Sequence, residues 1–153
     1  MLNYAALGPE VLVNQQTSAN QLNPKVHVLQ SGGYVVTWTD LSASLGDASY
    51  SSIKAQLFSA SGARIGQEFL VNTNTPGNQL APVIASLGNG GFVIIWMDSS
   101  DQLFDLSGFS VKAQMFDASG IPVGMEILVN TETTNSQWYP TATGLLGGGF
   151  VVA

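Results

Sequence analysis

A 58-residue repeat is the feature that most restricts how this chain folds. The motif at residues 10–14 (EVLVN) recurs at residues 68–72 (EFLVN) and at residues 126–130 (EILVN), with the same spacing both times. Residues 10–67 and 68–125 align without a gap and are identical at 28 of 58 positions. Repeats of this length are typical of supersecondary units that stack on their neighbours to build a shared core.

The repeat organises residues 1–153 as a single repeat region. Residues 1–14 are predicted to hold the fourth strand of a preceding unit, and residues 15–72 and 73–130 to form two full units. Residues 131–153 are predicted to supply the first two strands of a third unit. We therefore expect two full units with a partial unit on either side.

Each full unit contains four segments with the pattern of short strands. In the first unit, residues 24–29 lead through a Gly-Gly turn, a strong hairpin signal, into residues 34–38. Residues 53–58 alternate apolar and polar side chains, as a strand does, and residues 68–72 form the fourth segment. No segment has the 3.6-residue apolar periodicity of an amphipathic helix, so the chain is predicted to be all-β.

Four antiparallel strands per unit are typical of a β-propeller blade. The predicted fold is therefore an all-β, β-propeller-like array of four-stranded antiparallel blades with a 58-residue repeat, incomplete in this chain. A solenoid of small sheets and a row of separate β-modules are the alternatives. Residues 92–96 are apolar on both faces of their strand, so neighbouring units must cover both sides.

The charge balance restricts the partners. The chain has 4 Lys and Arg against 10 Asp and Glu, a net charge of −6, and no cysteine. Nucleic acid and anionic membranes bind basic surfaces, so neither is an expected partner. No apolar segment reaches the roughly 18 residues that membrane insertion needs. A disulfide framework and a thiolate zinc site are excluded.

The order of the motifs resembles a repeat of large secreted bacterial proteins. Residues 68–73 (EFLVNT) precede a Gly-Asn-Gln turn, then a GNGGFV hairpin that ends in Trp96, an acidic loop and residues 112–120 (KAQMFDASG). In this order they are similar to the propeller-like repeats of haemolysin-type, calcium-binding (RTX-like) and adhesin-like proteins. The resemblance implies an extracellular or cell-surface, non-enzymatic role, often with calcium.

Aspartates after the second strand of each unit are the candidate metal ligands. The second unit offers Asp98, Asp101 and Asp105 within eight residues, and the first offers Asp40 and Asp47. Calcium takes six to eight oxygen ligands, among them several carboxylates. Calcium is thus the candidate cofactor, and the alternative is that these aspartates form turns and are solvated.

Two sets of aromatic residues have different expected roles. Trp38 and Trp96 end an apolar strand at equivalent positions, so they are expected to pack between units rather than to stack on sugars. Trp138 and Tyr139 replace smaller residues at a connection between units. This pair is the candidate ligand-binding site, and a hydrophobic plug is the alternative.

Repeated polar residues are expected to be structural. An Asn and a Gln flank each connection and are expected to satisfy backbone groups there; they are Asn14, Gln21, Asn72, Gln79, Asn130 and Gln137. Lys54 and Lys112 are expected to cover the outer surface of the third strand or to pair with Glu68 and Glu126.

Catalysis is not expected. His27 is the single histidine, and neither a cysteine nor a nucleophile elbow accompanies it. The preferred function is a non-enzymatic structural or adhesive repeat module of a secreted or cell-surface bacterial protein, with calcium as a candidate stabilising ion. The alternative is a lectin-like carbohydrate-binding β-propeller. A hydrolase borne on a propeller would need catalytic residues outside these repeats.

The partial units predict how the array closes. Residues 10–14 are expected to pair with the strands of residues 140–153, in the same chain or in a neighbour, as a hybrid blade. Two chains that exchange these segments make a homodimeric ring of six blades. Otherwise, neighbouring repeats of a longer chain complete the array.

Overall fold

The computed structural model describes residues 9–100 and 108–153, and within these ranges every regular element is a β-strand. The first unit contains β1 (Gln21–Val28), β2 (Tyr34–Asp40), β3 (Ser52–Phe58) and β4 (Arg64–Leu70). The second contains β5 (Gln79–Ser86), β6 (Phe92–Asp98), β7 (Ser110–Phe116) and β8 (Pro122–Leu128), and the third contains β9 (Ala142–Gly144) and β10 (Phe150–Val152). The described residues include no helix long and apolar enough to cross a membrane.

Each full unit is one antiparallel sheet whose four strands follow chain order. Every strand of the second sheet begins at the position that is equivalent, in the repeat, to the start of its counterpart in the first. Thr37 pairs with Ala55 across β2 and β3, just as Ile95 pairs with Ala113 across β6 and β7. The all-β prediction with four-stranded antiparallel sheets is confirmed. In the described part of the chain the sheets do not close into a ring.

A β-bulge near the start of each first strand explains the position of the repeated proline. The register between β1 and β2 shifts between Leu22 and Lys25, and the second sheet repeats the shift. Inside the shift, Asn23 and Ala81 have positive φ of 52° and 53°, and a proline follows each. A bulge interrupts the ladder, so the missing proline N–H costs no strand hydrogen bond. The first strand therefore starts at Gln21, before the proline that was predicted to begin it.

The sheets stack face to face. We call the side of a sheet toward the preceding unit its leading face, and the side toward the next unit its trailing face. The core between the first two sheets joins the trailing residues Leu29, Val35, Ile53, Ala55, Leu57 and Val71 to the leading residues Ile84, Phe92, Ile94, Trp96 and Phe116. A second core joins the trailing residues Ala85, Leu87, Val93, Ile95, Val111 and Ala113 to Ala142, Phe150 and Val152 of the partial sheet. Both faces of β6 are therefore buried.

Residues 9–14 form no strand, although a strand was expected over residues 10–14. In each full unit the equivalent segment comes after the third strand of the same sheet and belongs to that sheet. Among the described residues no third strand precedes residues 9–14, so this segment has no sheet to join. The segment packs on the first sheet instead, where Val13 contacts the cluster of Val36, Trp38 and Phe58. It therefore covers part of the first leading face.

Candidate functional site

A lysine side chain is buried on the leading face of each full sheet. Lys54 and Lys112 are fully buried, and each Nζ lies 2.8 Å from a carboxylate oxygen, that of Asp40 or Asp98 respectively. The expectation that these lysines cover an outer surface is wrong. The loop that follows the second strand and the glutamate of the fourth strand surround each Nζ, so the ammonium group is shielded from water within its own unit.

The aspartate is the centre of this buried network. Asp98 accepts hydrogen bonds from the Trp96 indole (Nε1 to Oδ2, 3.3 Å) and from the Ser100 backbone N–H (2.8 Å). Lys112 donates to the Ser100 hydroxyl at 2.5 Å, and the Ser100 hydroxyl donates in turn to Asp98. The Asp40 network repeats this pattern, with Trp38 and Ser42 in the equivalent places. A buried ion pair is tolerated only when further hydrogen bonds satisfy it, and these groups supply them.

The first unit shows the electrostatic consequence. Burial by itself raises the pKa of Asp40, but hydrogen bonds from Lys54 and Ser42, with the lysine charge, outweigh it. The pKa of Asp40 is therefore lowered from its ordinary value of 3.8. The carboxylate is held ionised, and Asp40 acts as a structural anion.

A glutamate of each fourth strand binds the connection that leads into the first strand of its own unit. Glu126 accepts hydrogen bonds from the backbone N–H groups of Thr73 (2.9 Å) and Asn74 (3.3 Å), and its carboxylate lies 3.6 Å from Lys112. Glu68 does the same for the N–H groups of residues 15 and 16, at 2.5 and 3.2 Å. We call this contact the glutamate clasp. The expected pairing of Lys54 and Lys112 with these glutamates is present at 3.9 and 3.6 Å, whereas the backbone contacts were not predicted.

The repeated amides satisfy backbone groups at the connections, as predicted. Asn72 accepts the backbone N–H of Ile53 at 2.8 Å and donates to the carbonyl of Asn74 at 3.0 Å. Asn130 accepts the N–H of Val111 at the same distance of 2.8 Å. Gln79 donates to the Pro76 carbonyl at 2.9 Å. These side chains therefore hold the turn that leads from one unit into the next.

The predicted metal ligands are engaged differently in the two loops. Asp40 and Asp98 are ion-paired with buried lysines, and Asp47 accepts a hydrogen bond from Asn72 at 2.9 Å. Asp101 and Asp105 lie outside the described residues. Within residues 9–100 and 108–153, no group of three or more His, Cys, Asp or Glu side chains is placed to hold a metal ion.

The two sets of aromatic residues differ in exposure. Trp38 and Trp96 are buried, and Trp96 lies in the core between the first two sheets, as predicted, whereas Trp38 packs with Val13, Val36 and Phe58 on the first leading face. Trp138 is 54% and Tyr139 78% exposed. The Trp138 ring packs on Phe109 with ring centroids 4.8 Å apart, beside a cavity of about 280 Å³ that Val129 also lines.

His27 joins the first strands of the two full units. Its Nε2 lies 2.7 Å from the hydroxyl of Ser86 on β5, and that hydroxyl also reaches the Val28 carbonyl at 3.3 Å. These contacts cross the junction between the first two sheets. They bring β1 and β5 close together.

Comparisons of the chain with protein-family models, with curated proteins and with solved structures found no match. The arrangement of the described residues is that of a repeated junction. Each full unit contributes an apolar core, a buried Lys–Asp pair and a glutamate clasp.

We predict that Lys112→Met lowers the free energy of unfolding by about 3–5 kcal/mol, because it leaves the Asp98 charge buried without its partner. The matched control is Lys25→Met, which removes an exposed lysine of β1 and should change stability by less than about 0.5 kcal/mol. Urea unfolding at pH 7 measures both. Equal effects of the two substitutions would show that the buried pair does not stabilise the sheet.

We also predict an acid-dependent loss of stability that involves Asp40. Because its pKa is lowered in the folded state, its contribution is fully present above the ordinary value of 3.8 and is lost as the pH falls through the lower, folded value. Asp40→Asn should make the free energy of unfolding lower at pH 7 and less dependent on pH below about 4. Urea titrations between neutral and acid pH measure this, and an unchanged slope in Asp40→Asn would contradict the prediction.

Proposed function

We propose that the chain is a non-enzymatic structural or adhesive repeat module of a secreted or cell-surface bacterial protein. Its 58-residue units stack as blades of a β-propeller-like array. The glutamate clasp carries the proposal, because the same contact holds residues 15 and 16 to the first sheet and holds Thr73 and Asn74, in the connection from β4 to β5, to the second sheet. A contact repeated with the period of the sequence is the kind of device that extends an array.

The approach of the first strands supports the propeller-like arrangement. Ser86 on β5 contacts both His27 and Val28 on β1. At the next junction, Gly144 on β9 lies so close to Ser86 that a Cβ there would clash with the Ser86 carbonyl oxygen. The fourth strands are mostly exposed. Units that approach closely at their first strands and expose their fourth strands are arranged like blades around an axis.

The surface and the resemblance support a role outside the cell. Charged residues make up only 9% of the chain, and the net charge is −6. A surface with few charges and a net negative charge does not favour binding to nucleic acid or to an anionic membrane. The motif order resembles repeats of secreted haemolysin-type and adhesin-like proteins, which implies an extracellular or cell-surface role.

The structural role predicts that the two full units unfold together. Glu126→Ala removes several hydrogen bonds to the connection between the two full sheets and leaves Lys112 with one carboxylate fewer, so it should lower the free energy of unfolding by about 1.5–3 kcal/mol. Amide exchange at Thr73 and Asn74 should become faster. The matched control is Glu10→Ala, which removes the exposed glutamate at the equivalent position and should have little effect. Separate unfolding transitions of the two sheets in the wild-type chain would contradict the proposed function.

A carbohydrate-binding role is the second candidate, and the exposure of Trp138 and Tyr139 favours it. Aromatic rings present an apolar surface with a polar edge, which suits the apolar faces of sugar rings. The adjacent cavity of about 280 Å³ approaches the size of small-molecule sites.

A glycan array tests this second candidate. The wild-type chain should bind a defined set of glycans, and the double substitution Trp138→Ala with Tyr139→Ala should abolish binding. Tyr50→Ala, which removes another exposed aromatic ring, should leave binding intact because that ring is remote in sequence from the pair. An array on which wild-type protein binds nothing removes carbohydrate recognition as a function.

Calcium binding in the second loop stays a prediction. The loop offers Asp98, Asp101 and Asp105, and calcium at about 100 times its Kd should stabilise the chain by about 2.7 kcal/mol. Thermal unfolding with calcium and then with a chelator measures this. Asp105→Asn should remove the response, and Asp117→Asn should keep it. A melting temperature that is the same with calcium and with chelator would contradict calcium stabilisation.

A further inference from the structure

The leading face of the first sheet is apolar and largely uncovered at its first strand. Val26 is 67% and Val28 66% exposed. Val26 pairs across the sheet with Val36, and Ile84 occupies the position equivalent to Val26 in the second sheet. Ile84 is only 8% exposed, because the trailing face of the first sheet covers it. Ala142 on the leading face of the third sheet is likewise covered by the trailing face of the second sheet. In both junctions, therefore, a leading face packs against the trailing face of the sheet before it.

The trailing face of the partial third sheet is the complementary surface. Leu145 is 47% and Val151 49% exposed. In the two full units the equivalent leucines are Leu29 and Leu87 and the equivalent valines are Val35 and Val93, and all four are buried in the junction cores. The three units carry the same residue types at these positions, so the third sheet presents the same covering surface as the first two.

We propose that a second copy of this chain covers the first leading face with its own Leu145 and Val151. The proposal rests on the proposed structural function, and it names the partner that completes the array. The faces lie at opposite ends of a stack of three sheets and are both exposed, so they do not cover each other within one chain. Each copy has one of each face, so a two-fold pair makes the contact twice and leaves neither face uncovered.

The N-terminal segment fits this arrangement. Val13 already packs on Val36 and Trp38, and the equivalent residue of the first unit, Val71, lies in the core between the first two sheets beside Val35. Val13 therefore occupies the place of a trailing-face residue near the fourth strand. The incoming β9 and β10 supply the trailing-face residues of the first two strands. The two segments together make one composite unit, and they do not compete for the same part of the leading face.

Light scattering and sedimentation equilibrium over a range of concentrations test the proposal. The wild-type chain should be a dimer, and Val26→Lys and Val151→Glu should each be monomeric at concentrations where the wild type is dimeric. Val123→Lys is the matched control, because this valine of β8 is 47% exposed and belongs to the second sheet, which carries neither end face. It should remain dimeric. Circular dichroism checks that every variant is folded.

Mixing the two monomeric variants is the decisive measurement. In a mixed pair one junction carries both substitutions, Val26→Lys on one copy and Val151→Glu on the other, and the second junction is wild type at both positions. The dimer should therefore re-form only in the mixture. A monomeric wild type, a dimer in either single variant, assembly that grows beyond two copies, or a mixture that stays monomeric would overturn the proposal. Coupled unfolding of the sheets within one chain would survive that result, so the proposed structural function is judged separately.

Discussion

The structure depends on covering both faces of sheets that are apolar on both sides. In β6, Ile94 points into the core of the first junction, and its neighbours Val93 and Ile95 point into the core of the second. A single sheet with this composition would expose one apolar face to water, at a cost of about 25 cal/mol for each Å². The fold is therefore a property of the array, because one unit alone does not bury its own core.

The buried charges fix the arrangement of the segments within each unit. Lys112 is satisfied only when Asp98, Ser100 and Glu126 surround it. Moving the connection between the two full sheets away from β8 would leave the Glu126 carboxylate without the N–H groups of Thr73 and Asn74. The apolar cores thus supply most of the driving force for stacking, and the polar network holds each sheet to its loop and to the connection that precedes it. Each full unit carries its own copy of both.

The strands were predicted well because their signals are local. Alternation, glycine turns and the constant repeat spacing indicated all eight strands of the full units, but the fourth strand was predicted at residues 68–72 and is Arg64–Leu70, so its start was missed by four residues. The burial of Lys54 and the glutamate clasp were not predicted, because they depend on contacts with residues distant in sequence, which local alternation does not describe. A lysine between apolar residues has the same pattern whether a loop covers it or water reaches it. The available signal was the Trp-x-Asp-x-Ser motif, which recurs in both full units together with a lysine in the strand that follows.

The glutamate clasp has a consequence for how such chains change in length. Glu126 reaches back 53 residues to Thr73, and Glu68 reaches back 53 residues to residue 15, so each contact lies within one period of the repeat. Removing or duplicating a whole 58-residue period brings an equivalent glutamate to an equivalent pair of N–H groups. Gene duplication and unequal recombination in steps of one unit therefore keep each glutamate with its own pair of N–H groups, whereas a deletion whose ends fall at non-equivalent positions of two units does not.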